Sequence, residues 1–316
     1  MAIRFEDGSF ALILGGSSGF GLATAKKLAR SGMPIAIVHR DRKGAMPAIE
    51  RELAAIREAG VTLLTWNLDA LSDEGRKHVL DDLAAHLAGA KVRVLLHSIA
   101  FGNLKLLAPL GPGAGDATAR ARARLSERLG IAPEALEAAV SEVLGGGGAD
   151  PLSALSSPPA YSTDAFLEDE DFARTVYSMG TSLVTWAQDL LRRGLFAADA
   201  RVLGMTSEGN EVAWRGYAAV SAAKAALEAV ARSMAVELAP FGVRTNVVQA
   251  GVTDTPALRL IPGSDRMKAS ARLRNPFGRL TLPEDIADFI CLLCTDEARW
   301  VNGAILRVDG GEHIAG

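Results

Sequence analysis

Short apolar runs separated by amphipathic stretches fill the first hundred residues. FALILGG (10–16), PIAIVHR (34–40), VTLLTWNL (61–68) and KVRVLLHSIA (91–100) are four such runs. GLATAKKLARSG, AMPAIERELAAIREAG and EGRKHVLDDLAAHLAG lie between them and carry apolar residues at helical spacing. Strands that short and that apolar are covered on both faces, which calls for a parallel sheet with helices on each side. Right-handed crossovers then give an α/β, doubly wound sheet of the Rossmann type.

The alternation resumes after residue 170. A long helix at 172–194 precedes a strand, ARVLGMTS. A second long helix, 217–242, precedes VRTNVVQAG, and a helix at 283–298 precedes the last strand, GAILRVDGG. Residues 104–165 break the pattern with Pro112, a glycine run at 145–148, Pro151 and SSPPA. They also hold two helical stretches, 116–130 and 132–144. This reads as a helical hairpin on flexible hinges, inserted after the fourth strand of a single domain spanning 1–316. Ligands of such sheets bind outside the carboxyl ends of the strands, so the insertion is placed to cover the site as a lid.

Bulk properties remove several classes of function. A net charge of −3 argues against nucleic acid as a general partner. No run approaches the roughly 18 apolar residues of a membrane span. The start, MAIRFEDGSFALILGG, reads as a first core strand and not a signal peptide, which points to a cytoplasmic protein. Cys291 and Cys294 form a C-x-x-C pair, but a zinc site needs a second ligand pair and none is near. Two core thiols on an apolar helix stripe is the better reading, and no metal is expected.

GGSSGFG follows the first strand and opens a helix. Gly15, Gly19 and Gly21 fit G-x-x-x-G-x-G, and with Ser17, Ser18 and Phe20 they form a turn whose backbone N–H groups can meet a pyrophosphate. The second strand ends VHRDR. Arg40 and Arg42 suit a ribose 2′-phosphate and so NADPH; Asp41, if turned inward, would select NADH.

With those motifs in place, the chain resembles the short-chain dehydrogenase/reductase superfamily from about residue 8 to 103 and 170 to 313. LGGSSGFG, NVVQAGVTDT and the terminal RVDGG carry the likeness. HSIAFGN after the fourth strand and the spacing of Tyr217 and Lys224 are similar to the enoyl-acyl-carrier-protein reductases, most of all to those that use NADPH. The resemblance implies Asn67 and Leu68 at the adenine and Ser98 and Ile99 at the ribose wall. It implies Gly251, Val252 and Thr255 at the carboxamide and pyrophosphate, and Lys224 on the nicotinamide ribose. It also implies a tetramer or dimer and a mobile substrate loop at 256–280, whose length suits a long or bulky substrate.

Tyr217 and Lys224 stand seven apart in GYAAVSAAK, where carbonyl reductases of the family place four. Seven helical residues return to within ~20° of one face, so both can serve one cleft. Val220 occupies the usual acid position, ~4.5 Å further along the helix. In enoyl thioester reduction the hydride lands on the β carbon while charge develops on the thioester oxygen, two carbons away. A tyrosine one turn back can meet that charge. Tyr217 and Lys224 are therefore the expected catalytic pair. Ser207 matches the family serine, although a strand-end turn hydroxyl explains it equally well, and Thr206 is a weaker candidate.

The asparagine of the carbonyl reductases' proton relay is replaced by Tyr177 or Ser178. Trp214 is either an acyl-pocket wall or a packed loop aromatic. His97 reads as structural. Arg120, Arg124 and Arg128 form a basic stripe that could steer an acidic acyl carrier protein, or simply a solvated face. The expected function is NADPH-dependent reduction of the 2,3 double bond of enoyl thioesters in fatty-acid or related synthesis. A carbonyl or dienoyl-thioester reductase, or an idle nucleotide-binding sensor, stays open beside it.

Overall fold

Alternate residues of each strand go to opposite faces of one sheet. Phe10, Leu12 and Leu14 join one buried cluster, while Ala11 and Ile13 join the other. The computed structural model describes residues 3–6, 8–111, 116–146, 150–156, 159–162 and 165–315. Its strands are β1 (Phe10–Leu14), β2 (Ile35–His39), β3 (Leu63–Asn67), β4 (Val92–His97), β5 (Phe196–Ser207), β6 (Val243–Ala250) and β7 (Ile305–Val308). They form one parallel sheet in the order β3-β2-β1-β4-β5-β6-β7. The order reverses between β1 and β4, which opens a crevice at their carboxyl ends.

Helices α1 (Gly19–Arg30) and α2 (Met46–Arg57) cover one face. Helix α3 (Asp73–Leu87) covers the other. The insertion holds α4 (Asp116–Leu129) and α5 (Pro133–Gly146). The expected long helix at 172–194 is α6 (Asp169–Val176) and α7 (Ser182–Arg192), joined by one π-helical turn, Tyr177–Thr181. Helix α8 (Ala218–Glu237) packs beside α7. The substrate loop is folded into α9 (Pro256–Arg259) and α10 (Ser264–Arg274). Helix α11 (Pro283–Leu293) completes the α1 layer, with both cysteines buried, free and unmatched by any metal-binding group among the described residues. No described helix is long and apolar enough to cross a membrane.

The insertion leaves the carboxyl end of β4 and packs against α10. Leu136 and Val140 are buried, and Arg122 pairs with Glu137 at 3.2 Å across α4 and α5. A short 3-10 turn, Asp150–Leu155, meets α10 through Arg272, whose guanidinium forks onto the Asp150 carboxylate at 2.6 to 2.9 Å. Arg266 donates to the Ser156 hydroxyl at 2.7 Å and to its carbonyl. The expected hinge residues Pro112, 147–148 and 157–158 lie outside the described residues. Bidentate pairs of this kind are stronger than single ionic contacts. Replacing Asp150 with Asn should therefore loosen α10 selectively. Amide hydrogen exchange across 264–274 should rise roughly tenfold, about 1.4 kcal/mol of local stability, with the strand amides unchanged. Equal exchange in both proteins would remove the insertion as a support for the loop.

Candidate functional site

A cavity of about 560 Å³ occupies the crevice at the carboxyl edge of β1, β4, β5 and β6. Its floor is the turn after β1. Gly15 sits at φ +84°, and a Cβ there would strike the Ser98 carbonyl of the neighbouring strand end. A Cβ on Gly21 would strike the Gly15 carbonyl, so this glycine sets how closely α1 approaches the turn. Ser17, Ser18, Gly19 and Phe20 line the cavity around the first turn of α1, where unpaired N–H groups face outward. The arrangement is a cradle for a dinucleotide pyrophosphate.

Most of the residues expected at a cofactor line this cavity: Leu68 beyond β3, Ser98 and Ile99 beyond β4, and Gly251, Val252 and Thr255 beyond β6. Three expected contacts lie elsewhere. Gly21 is buried beneath the turn and acts through packing. Arg42 is exposed and outside the cavity. Asn67 braces the β2 end from behind, accepting from the Asp41 N–H at 2.9 Å and donating to the Asp41 carbonyl at 3.0 Å. Arg40 does line the rim. It pairs with Asp69 at 3.0 Å and lies over the Phe101 ring, 4.7 Å from the centroid. The Asp41 carboxylate is 2.9 Å from His39 Nδ1.

At the other end of the cavity stand Ser207, Tyr217 and Lys224. Tyr217 is the N-cap of α8, not an interior residue, and its carbonyl accepts the Ser221 N–H at 2.8 Å. Its ring lies against Gly209, where any side chain would collide with it. Val220 is buried with Met179 and Ala223, so the position four before Lys224 is a wall and carries no acid. Burial pushes the Tyr217 phenol above its ordinary value, while the adjacent Ser207 hydroxyl opposes the rise. Ser207 Oγ is itself buried and makes no hydrogen bond of normal geometry to any described residue. It is a donor still available to a bound oxygen.

Lys224 is buried and donates to the Met205 carbonyl at 2.8 Å. Burial pulls its pKa down to about 8, against the opposing pull of Glu228. The Glu228 carboxylate, one turn on, accepts from Thr206 Oγ1 at 2.6 Å and from Asn210 Nδ2 at 2.8 Å. Thr206 thus serves the carboxylate behind the lysine. Sequence reasoning passed over Glu228, although its i, i+4 offset from Lys224 on a buried face was a usable signal.

Ser178, in the place of the relay asparagine, is buried and donates to the Phe101 carbonyl. Tyr177 lines a side recess with Arg40 and Arg174, not the main cavity. His97 is buried, and burial, assisted by the Lys224 charge, takes its pKa down to about 3. Ser182 Oγ donates to the Ser178 carbonyl, so His97 Nε2 donates to Ser182 at 2.8 Å. A neutral imidazole held that way is no acid at ordinary pH. Trp214 lines the cavity with Leu260, Ile261 and Met267 of the substrate loop, giving this end an apolar wall. Of the described residues of the insertion 104–165, Leu104 at its root lines the cavity and the helices α4 and α5 do not.

The family profile described as "Enoyl-(Acyl carrier protein) reductase" matches residues 156–313, and the profile "short chain dehydrogenase" matches 9–108. Over 301 residues, 95% of each chain, the protein is 27% identical to the cis-4-hydroxycyclohexanecarboxylate dehydrogenase of Sinomonas cyclohexanicum. Over 135 residues it is 33% identical to the enoyl-[acyl-carrier-protein] reductase [NADH] of Aquifex aeolicus, covering 43% of this chain and 50% of that one. The crystal structure of the Aquifex aeolicus enoyl-[acyl-carrier-protein] reductase superposes with a TM-score of 0.69 at 24% identity, covering 98% of each chain.

The low Lys224 pKa has a visible consequence. Below about pH 8 the buried ammonium is present; as pH rises through that value it is lost, and with it the charge that lowers the barrier to anion formation nearby. Turnover in the form kcat/KM should fall about tenfold per pH unit above that point. A profile flat to pH 10 would mean that the cation is not needed.

Proposed function

Because the chain belongs to the short-chain dehydrogenase/reductase family, its cavity is taken as the seat of a nicotinamide dinucleotide, and we propose that it reduces the 2,3 double bond of enoyl thioesters. The observation that carries this reading is the placement of Tyr217 at the α8 N-cap, with buried Val220 filling the position of a carbonyl reductase's acid. The cofactor, when bound, supplies the hydride. The rest is work for this chain's side chains. Lys224 Nζ holds the ribose end and lends positive charge. Tyr217 Oη, protonated because burial keeps its pKa high, donates to the thioester oxygen as negative charge grows there. Ser207 Oγ is a second donor to the same oxygen. The proton that completes the α carbon comes from Tyr217 or from solvent behind it.

NADPH is the proposed form. Arg40 stands on the cavity rim; Asp41 lines the cavity beside it, with its carboxylate held against His39 Nδ1. Arg40 alone carries this assignment, since Arg42 lies away from the cavity. The apolar wall of Trp214, Leu260, Ile261 and Met267 suits an acyl chain. An acyl carrier protein is the proposed donor of that chain. Arg120, Arg124 and Arg128 are all exposed on α4, and such a stripe would raise the encounter rate with an acidic carrier.

Crotonyl and acetoacetyl thioesters, followed in parallel by consumption of NADPH, separate the alternatives. The crotonyl substrate should be turned over, and Tyr217→Phe should lower kcat by roughly 10²–10³ with a small change in KM. Consumption with acetoacetyl thioester alone would overturn the reading. Consumption with neither would favour a nucleotide-binding sensor.

A further inference from the structure

Behind the cavity, two carboxylates and one guanidinium join three segments that the sequence keeps far apart. Glu208 directly follows Ser207 and lines the cavity. Glu312 lies in a 3-10 turn near the carboxyl end and is 1% exposed. Arg274, the last residue of α10, donates through one nitrogen to Glu208 Oε1 at 2.8 Å and to Glu312 Oε1 at 3.1 Å. Glu312 in turn accepts the Val252 N–H, at 3.2 Å to one oxygen and 3.4 Å to the other. Val252 belongs to the backbone segment taken to hold the nicotinamide carboxamide. A Cβ on the preceding Gly251 would run into the Glu312 carboxylate and Thr281, so this segment rests directly on the cluster.

We infer that Arg274 is a positioning residue that couples the substrate-loop helix α10 to the cofactor-bearing segment at Val252 and to the strand end carrying Ser207. Its charge lets two carboxylates within about 6 Å of each other sit on one side of the cavity. Remove it and they repel, and the Glu312 carboxylate that accepts the Val252 N–H is one of the two groups that must give way. A movement of α10 that withdraws Arg274 has the same effect, so order in the substrate loop and fit of the nicotinamide end become one equilibrium. The groups facing Glu312 are Glu208, Arg274, Asp309 and the Val252 N–H. Burial first, then Glu208, pushes its pKa up, while Arg274 and the Val252 N–H pull it back. Without Arg274, the pair should therefore take up a proton as pH falls.

The inference rests on a dinucleotide site and not on the enoyl substrate, so its test reads dinucleotide binding. Dissociation constants for NADPH and NADH are measured by fluorescence at pH 6 and pH 8, with circular dichroism to verify folding. Arg274→Met should weaken binding about tenfold or more at pH 8 and distinctly less at pH 6, a pH dependence weaker in the native protein. Adding Glu312→Gln to Arg274→Met should restore most of the loss at pH 8, because the amide removes the repulsion and its oxygen still accepts from Val252. If Arg274→Met does not fold, Arg274→Lys gives the same comparison; its ammonium lies one bond short of the guanidinium nitrogen that meets both carboxylates, and an intermediate loss at pH 8 that recovers at pH 6 is expected. Unchanged affinity would overturn the inference. So would an equal loss at both pH values with no rescue by Glu312→Gln, which would reduce Arg274 to a packing role. Failure of the native protein to reduce enoyl thioesters would leave this result untouched.

Discussion

The ammonium of Lys224 is held under the Met205 carbonyl, out of water, with one carboxylate a helical turn away. Burying that charge costs several kcal/mol, and a hydrogen bond to a strand carbonyl offsets only part of it. Much of the surrounding structure follows from the need to tolerate it. Glu228 supplies the countercharge, and Thr206 and Asn210 donate to its oxygens and fix its position. His97, close enough to feel the lysine, is neutral. Tyr217 keeps its proton through burial at the helix cap, with the Ser207 hydroxyl beside it. A cation, a neutral phenol and a hydroxyl converge on one end of a cleft, which is the equipment for receiving negative charge on an oxygen.

The other half of the site is backbone. The turn after β1 works because two glycines leave no side chain between it, the β4 end and α1. The far wall is more conditional. Helix α10 is pinned on one side by the insertion, through Arg272 and Arg266, and at its end by Arg274. The inserted hairpin shapes the cavity through α10 while contributing no described side chain of its own to the lining.

Much of this was legible in the sequence. Short, wholly apolar runs such as FALIL and IAIVH call for cover on both faces, and the parallel doubly wound sheet follows. The glycine spacing marked the turn, and GYAAVSAAK marked residues that line one end of the cavity. What the sequence hid were contacts between residues distant along the chain or free to turn either way. Arg42 and Arg40 look alike in VHRDR, and only the pairing of Arg40 with Asp69 and Phe101 draws one of them to the rim. Asn67 reads as a ligand residue, but its amide is spent on the Asp41 backbone. The π turn at Tyr177–Thr181 has no local signature; Gly180 there packs onto the backbone of α8. Arg274 could not be paired with Glu208 and Glu312 without knowing that three loops meet.

The central claim is that hydride is delivered to carbon two bonds from the carbonyl, because Tyr217 stands where charge on the thioester oxygen would be met. The position of an isotope tests this directly. Crotonyl thioester is incubated with NADPH carrying deuterium at the transferable position of the nicotinamide, and the product is examined by NMR. The account predicts a saturated butyryl thioester with deuterium on C3. Deuterium on a carbinol carbon formed from a keto thioester, with crotonyl thioester left intact, would contradict it.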